Sequence, residues 1–153
     1  SHANEKSFWD IYNNTSKPFI ASHSNAKALC NHRRNLTDEQ IKAIASRDGV
    51  IGVNAYKHFI SLDSHNQTLE RFVDHIEHII SLVGIKHVAL GFDFCEYLYT
   101  DKKEEDINPK GLENASKAMG VIKELARRGY EESDIRKIAF ENFMRIAETI
   151  LED

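Results

Sequence analysis

Gly49-Val-Ile-Gly-Val-Asn-Ala-Tyr56, then Leu69 to Gly84, then His87-Val-Ala-Leu-Gly-Phe-Asp-Phe94 decide how this chain folds. The first run is apolar on both faces, as a strand inside a parallel sheet is. In the second, Leu69, Phe72, Val73, Ile76, Ile79, Ile80 and Val83 recur at the three-and-four spacing of an amphipathic helix, and Gly84 stops it. The third run is another strand. Strand, helix, strand in this order is the grammar of a right-handed parallel crossover.

Outward from this unit the same alternation continues. Upstream, Thr37-Asp-Glu-Gln40 matches a capping box and predicts a helix over 38–47 with Ile41, Ile44 and Ala45 inward. Before it, Phe19 to Ala21 follows Pro18 and reads as a buried strand ending near His23, and residues 4–13 predict a short helix with Phe8, Trp9 and Tyr12 on one face. Downstream, a polar loop is expected from Cys95 to Pro109. A helix is predicted over 111–128, ending at Gly129, and another over 132–150, with Glu131 or Ser133 near its start. The opening Ser-His-Ala-Asn reads as the exit of a fourth strand at His2, which makes the chain a segment of something longer.

The fold class is therefore α/β, with parallel strands alternating with helices. An eight-stranded barrel typically takes about 250 residues. The 153 residues here, read as a single segment, suit half of a TIM-like (β/α)8 barrel. A half barrel leaves open sheet edges and a bare inner face. The expected partner is the missing half, with self-association as the alternative.

Composition is that of an ordinary globular domain, 41% hydrophobic and 29% charged. A net charge of -4 without a basic stripe argues against nucleic acid as a partner. The apolar runs are strand-sized, so no membrane contact is expected. Cys30 and Cys95 form neither a metal-finger spacing nor a disulfide framework, which makes a reducing, cytoplasmic setting the default expectation.

Four polar residues fall at or just beyond strand ends: His2, His23, Tyr56 and Asp93. A lone histidine there is more often hydrogen-bonded than a ligand. Two on consecutive strand exits, with an acid on a later one, point to a shared metal, because the C-terminal ends of parallel strands converge on one face. Asp93 lies between Phe92 and Phe94, an apolar setting that suits a proton carrier tuned by burial; a turn-capping aspartate is the alternative. Arg33 and Arg34 lie in the loop beyond His23. From spacing alone they read as solvated, although a guanidinium there could hold a carboxylate through two parallel hydrogen bonds. His75 and His78, on the amphipathic helix, and His58 and His65, in a loop, read as structural or solvated. Cys95 could touch the site; a free thiol away from the chemistry is the plainer reading.

Taken together these pieces resemble the membrane (renal) dipeptidases and their bacterial relatives, which are zinc-dependent barrel peptidases. The resemblance is carried by Ser1-His2 with Phe8-Trp9-Asp10, Ile20-Ala-Ser-His-Ser-Asn-Ala26, Arg33-Arg-Asn-Leu-Thr-Asp-Glu39 and Gly49-Val-Ile-Gly-Val-Asn54. It continues in Gly91-Phe-Asp-Phe94, Gly111-Leu-Glu113 and Glu141-Asn-Phe-Met-Arg145. It covers nearly the whole chain in order and corresponds to the C-terminal half of the family's catalytic barrel.

The resemblance implies that His2 and His23 bind one of two zinc ions. A bridging glutamate and a His-x-Asp pair would come from the N-terminal half. It implies attack of a metal-bridging hydroxide on the dipeptide carbonyl, with Asp93 as proton carrier and substrate contact, and Arg34 as the clamp on the substrate's terminal carboxylate. Here likeness, not spacing, assigns Arg34. The chain departs from the family at Asp93-Phe94-Cys95-Glu96, where Asp-Phe-Asp-Gly is usual, which affects the shape of the adjoining substrate loop. A tyrosine that helps hold the carboxylate in some relatives has Tyr56 nearby and Phe59 as the competing match, and is left unassigned. Two other readings are an inert half barrel that acts by association, and a different metal-dependent barrel amidohydrolase acting on lactams or phosphoesters.

Overall fold

In the computed structural model, which describes residues 1–151, β1 (Ile20–Ala21), β2 (Val50–Asn54) and β3 (Val88–Phe92) form one parallel sheet in the order β1-β2-β3. Ile20 pairs with Val50 and Ile51 with Val88. Helices α1 (Glu5–Asn14), α2 (Asp38–Ser46), α3 (Lys57–Ile60), α4 (Leu69–Val83) and α5 (Met119–Arg127) alternate with the strands or follow them. The chain ends in α6 (Glu132–Arg136), a π-helical turn (Lys137–Glu141) and α7 (Asn142–Leu151).

The local signals act as expected. Thr37 Oγ1 accepts from Gln40 N at 3.3 Å while Gln40 Oε1 accepts from Thr37 N at 3.0 Å, closing the capping box that starts α2. Gly84 ends α4 with φ 88°, a left-handed conformation that favours glycine. Asn4 caps α1 through Ser7 N at 2.8 Å.

Residues 1–4 carry no strand among the described residues, and the strand body expected before His2 lies outside this sequence. Two expectations change. The helix predicted from residue 111 begins only at Met119, because Gly111 (φ 86°) opens a turn that buries Leu112, and a 3-10 turn, Ala115–Lys117, follows. The helix predicted over 132–150 runs through the π turn, where one extra residue is accommodated within the helical path.

The sheet has two differently covered faces. Ile51, Val53 and Val88 join Ile41 and Ile44 of α2 and Phe72, Ile76 and Ile79 of α4 in the main core. Val50, Ala89 and Ile20 face the other way, onto Ile146 of α7. Asn142 anchors α7 by donating to the carbonyls of Ile85 (2.7 Å) and Val88 (2.8 Å), and Arg145 donates to Asp48 Oδ2 (2.7 Å). All these anchors lie at the N-terminal ends of β2 and β3, so the C-terminal ends stay open. On this second face, Ser22, Gly52, Gly91, Phe140, Phe143 and Met144 border a groove of about 350 Å³. Phe140, Phe143 and Met144 remain 46–48% exposed, an apolar strip beside the sheet. No helix among the described residues is long and apolar enough to cross a membrane.

His75, inside α4, ties the long loop after β1 to the helical layer. It is fully buried; its Nδ1 accepts from Ala26 N (3.1 Å) and its Nε2 lies 3.0 Å from the Ile60 carbonyl. With Nδ1 accepting, the proton sits on Nε2 and is donated to Ile60, so the neutral ring satisfies both contacts. Burial holds its pKa down to about 4, from an ordinary 6.5. Below the ordinary value the unfolded chain therefore binds a proton that the folded one refuses. Stability contributed by neutral His75 is expected to be complete at pH 7 and to fall progressively from about pH 6.5 to about pH 4, by on the order of 3 kcal/mol. Urea unfolding across that range checks it; the His75→Gln variant is expected to show a flatter pH dependence.

Candidate metal and substrate site

The C-terminal ends of the strands carry the polar residues. After β1 the backbone turns at Ser22 and is pinned to β2 by Ser24 N on the Gly52 carbonyl at 2.7 Å. Gly52 and Gly91 permit this close approach, since a Cβ on either would lie 2.3 Å from the Ser22 carbonyl oxygen. His23 is thereby presented at the rim with 18% of its side chain exposed. Ser1 Oγ accepts from His23 N at 2.9 Å, and Ser22 Oγ lies 2.9 Å from His23 Nδ1.

His2 meets His23 there, Nε2 to Nε2, at 2.9 Å, and Arg34 Nη2 lies 3.1 Å from His2 Nε2. Arg34 arrives because its loop folds back: Lys27 N donates to Leu36 O and Leu36 N to Asn25 O. Asn35 Nδ2 then donates to the carbonyls of Cys30 and Phe59. A guanidinium only donates, so His2 Nε2 must accept, and His23 Nε2 must be the donor between the rings. The hydroxyl of Ser22 then donates to His23 Nδ1. Burial foremost pushes the His23 pKa down, with Asp93 opposing and His2 and Arg34 reinforcing it. Such a bias favours the neutral ring, the form that binds metal.

Asp93 completes the arrangement differently from expectation. Its side chain is 45% exposed rather than enclosed by its phenylalanine neighbours. Phe92 turns away to stack between Phe72 (5.7 Å) and Phe94 (5.0 Å). The pairing between β2 and β3 slips after Val53, so that Asn54 stands opposite Phe92, and Phe92 and Asp93 both take positive φ (30° and 66°). Such irregularities at a strand end re-aim a side chain. Asp93 Oδ2 comes to lie 3.0 Å from Asn54 Nδ2 and 3.9 Å from His23 Nε2.

Tyr56 packs on Phe59 (4.9 Å) and His58 (5.4 Å), and the Arg34 guanidinium carbon lies 5.4 Å from the centre of the Phe59 ring. Phe59, not Tyr56, thus supports the arginine. His78 is bound to Asp38 at 2.9 Å. Cys30 is buried and Cys95 half-buried, both as free thiols. Sequence reasoning missed Asn25 and Asn54, both 0% exposed; a polar residue closing a wholly apolar strand was the available signal at Asn54.

The donor set can be tested against a metal. Two donors on a tetrahedral zinc, each about 2.0–2.1 Å from the ion, stand about 3.3 Å apart. The paired Nε2 atoms at 2.9 Å need only a small opening, and the His23 proton can move to Nδ1, where Ser22 Oγ can accept it. The two imidazoles therefore fit. Among the described residues no group of three or more His, Cys, Asp or Glu is placed so that it could hold a metal ion.

Parallel strands backed by helices, with two histidines and a carboxylate brought to one rim, define a segment of an α/β barrel. The pattern of the membrane dipeptidase family (peptidase family M19) matches residues 1–152, and the chain belongs to this family. An uncharacterised protein in the pqqA 5′ region of Klebsiella pneumoniae is 35% identical over 98% of this chain and 53% of its own length. An uncharacterised dipeptidase of Schizosaccharomyces pombe is 34% identical over 97% of this chain and 35% of its own. Among solved structures, a metallopeptidase from Rhodobacter sphaeroides, liganded with a phosphinate mimic of the dipeptide L-Ala-D-Ala, superposes with a TM-score of 0.83. It is 30% identical over 97% of this chain and 40% of that one. The chain thus spans about half, or less, of the relatives it matches.

Proposed function

We propose that this chain is the C-terminal half of a zinc-dependent dipeptidase barrel and supplies one metal's histidines, the carboxylate clamp and the proton carrier. The observation that carries this reading is the meeting of His2, His23, Arg34 and Asp93 from three separate segments at one rim. Two zinc ions are proposed for the complete site, the remaining ligands coming from the rest of the barrel. When bound, zinc supplies Lewis-acid polarisation and lowers the proton affinity of water.

His2 and His23 would hold the metal through Nε2. Released from His2, the Arg34 guanidinium would bind the substrate's terminal carboxylate, which favours dipeptides over longer chains. Its Nε is buried with no hydrogen-bond partner among the described residues, so part of its donor capacity is unspent. Asp93 would take a proton from the attacking water at its carboxylate and deliver it to the leaving amine. The dipeptide mimic held by the Rhodobacter sphaeroides relative supports the substrate class.

The open apolar groove and the exposed Phe140, Phe143 and Met144 support a partner half that closes the barrel. The incomplete ligand set favours a second statement: the 153-residue segment alone is catalytically inert. Arg34 provides the test. In the complete enzyme Arg34→Met is expected to raise KM for dipeptides about 10- to 100-fold, the worth of a charged hydrogen bond. A C-terminally amidated dipeptide is expected to be correspondingly poor with the unaltered enzyme. Equal KM values for the acid and the amide would refute the clamp.

A further inference from the structure

We infer that Asn54 is a positioning residue that orients the Asp93 carboxylate, with Asn25 as its support; this rests on the proton-carrying role proposed for Asp93. An asparagine amide can normally turn over and offer either end. Here it cannot. Asn54 Oδ1 accepts the backbone N–H of Tyr56 at 2.6 Å, which leaves the NH2 group facing Asp93 Oδ2 at 3.0 Å as an obligatory donor.

The backbone of Asn54 is held on both sides by one side chain: Asn54 N donates to Asn25 Oδ1 at 2.8 Å, and Asn25 Nδ2 donates to the Asn54 carbonyl at 3.1 Å. Both asparagines are 0% exposed, so water does not compete for these bonds. Asn25 belongs to the loop that presents His23, and its carbonyl accepts Leu36 N from the segment that carries Arg34. One buried amide pair therefore joins the loop that carries His23 and Arg34 to the strand ends that carry Asp93.

Asp93 needs such a fixture. It is 45% exposed and follows Phe92 in a left-handed backbone conformation without glycine, so nothing in its immediate surroundings encloses the carboxylate. The Asn54 donor engages Oδ2, the oxygen nearest His23, and leaves Oδ1 for reacting atoms. Partners that orient a site residue in this way are worth about 10- to 100-fold when removed.

Asn54→Asp is the discriminating change in the complete enzyme. It keeps an oxygen for Tyr56 N–H and replaces the amide donor with a carboxyl that can donate to Asp93 only while protonated, so turnover is compared at a pH where both carboxyls are ionised. The expected result is a fall in kcat of about 10- to 100-fold with KM and zinc content unchanged. Combined with Asp93→Asn, it is expected to cost nothing beyond Asp93→Asn alone, because Asn54 acts through Asp93. An unchanged kcat, or losses that multiply in the double variant, would overturn the inference. Should the unaltered enzyme cleave no dipeptide, the functional reading fails by itself. The positioning claim is then decided, as it is if Asn54→Asp does not fold, by the crystal structure of Asn54→Ser, whose hydroxyl is too short to reach Asp93. A carboxylate swung away from His23 supports the claim, and one left in place overturns it.

Discussion

Asp93→Asn, made in the complete enzyme, is expected to lower dipeptide turnover about 10²- to 10⁴-fold, the usual worth of a positioned proton carrier. Zinc content and folding are expected to stay as they were. The reason lies in what the amide keeps and what it loses. Its carbonyl oxygen can still accept from Asn54 Nδ2, now at 3.0 Å from Oδ2, so the strand exit retains its tether. It cannot take up a proton from water and return it to an amine. Asp93 touches His23 only at 3.9 Å, beyond hydrogen-bond range, so the imidazole loses no partner that orients it. The signature is a lost kcat with an intact metal complement, read by metal analysis beside steady-state kinetics. Near-normal turnover would remove Asp93 from the reaction.

His23→Ala is expected to do the opposite, taking metal and activity away together. Partners that merely orient a ligand are worth about 10- to 100-fold in metal affinity. Removing the ligand itself should therefore exceed about 100-fold at the metal held with His2. The fold has little reason to fail. His23 is fixed by its own backbone N–H on Ser1 Oγ, which alanine keeps, and by Ser22 Oγ on Nδ1, a bond to a rim residue. The core contacts of the same loop, Ser24 to Gly52 and Ala26 to His75, do not involve the ring. Competition with a chelator measures the loss, and undiminished affinity would show that His23 is only a hydrogen-bonded rim histidine.

What could be read in advance divides along the range of the interaction. The capping box at Thr37, the helix stop at Gly84 and the apolar stripe of α4 are local, and each acts in the structure as its residues dictate. The parallel order of the strands followed from their alternation with helices. The flanking phenylalanines suggest an enclosed Asp93, whereas its side chain is half exposed. The pairing slip after Val53 and the stacking partner Phe72, twenty residues upstream of Phe92, decide where those rings go, and neither is visible locally. The opening Ser-His-Ala-Asn reads as a strand exit whose strand body lies outside this sequence. In the structure His2 reaches the same rim from the segment before α1, held by Arg34 and His23. The Asn25 and Asn54 pairing spans 29 residues and needs the folded loop to exist, yet Asn54 closes an apolar strand in the same way that drew attention to His23.

The central claim is that His2 and His23 share a metal at the open end of the sheet. An anomalous-difference map at the zinc absorption edge, from crystals of the complete protein grown with zinc, tests it most directly. The account predicts a peak about 2.0–2.1 Å from a ring nitrogen of each histidine, with the remaining ligands supplied by residues outside this chain. A zinc peak elsewhere in the barrel, with His2 and His23 still hydrogen-bonded to each other, would contradict it.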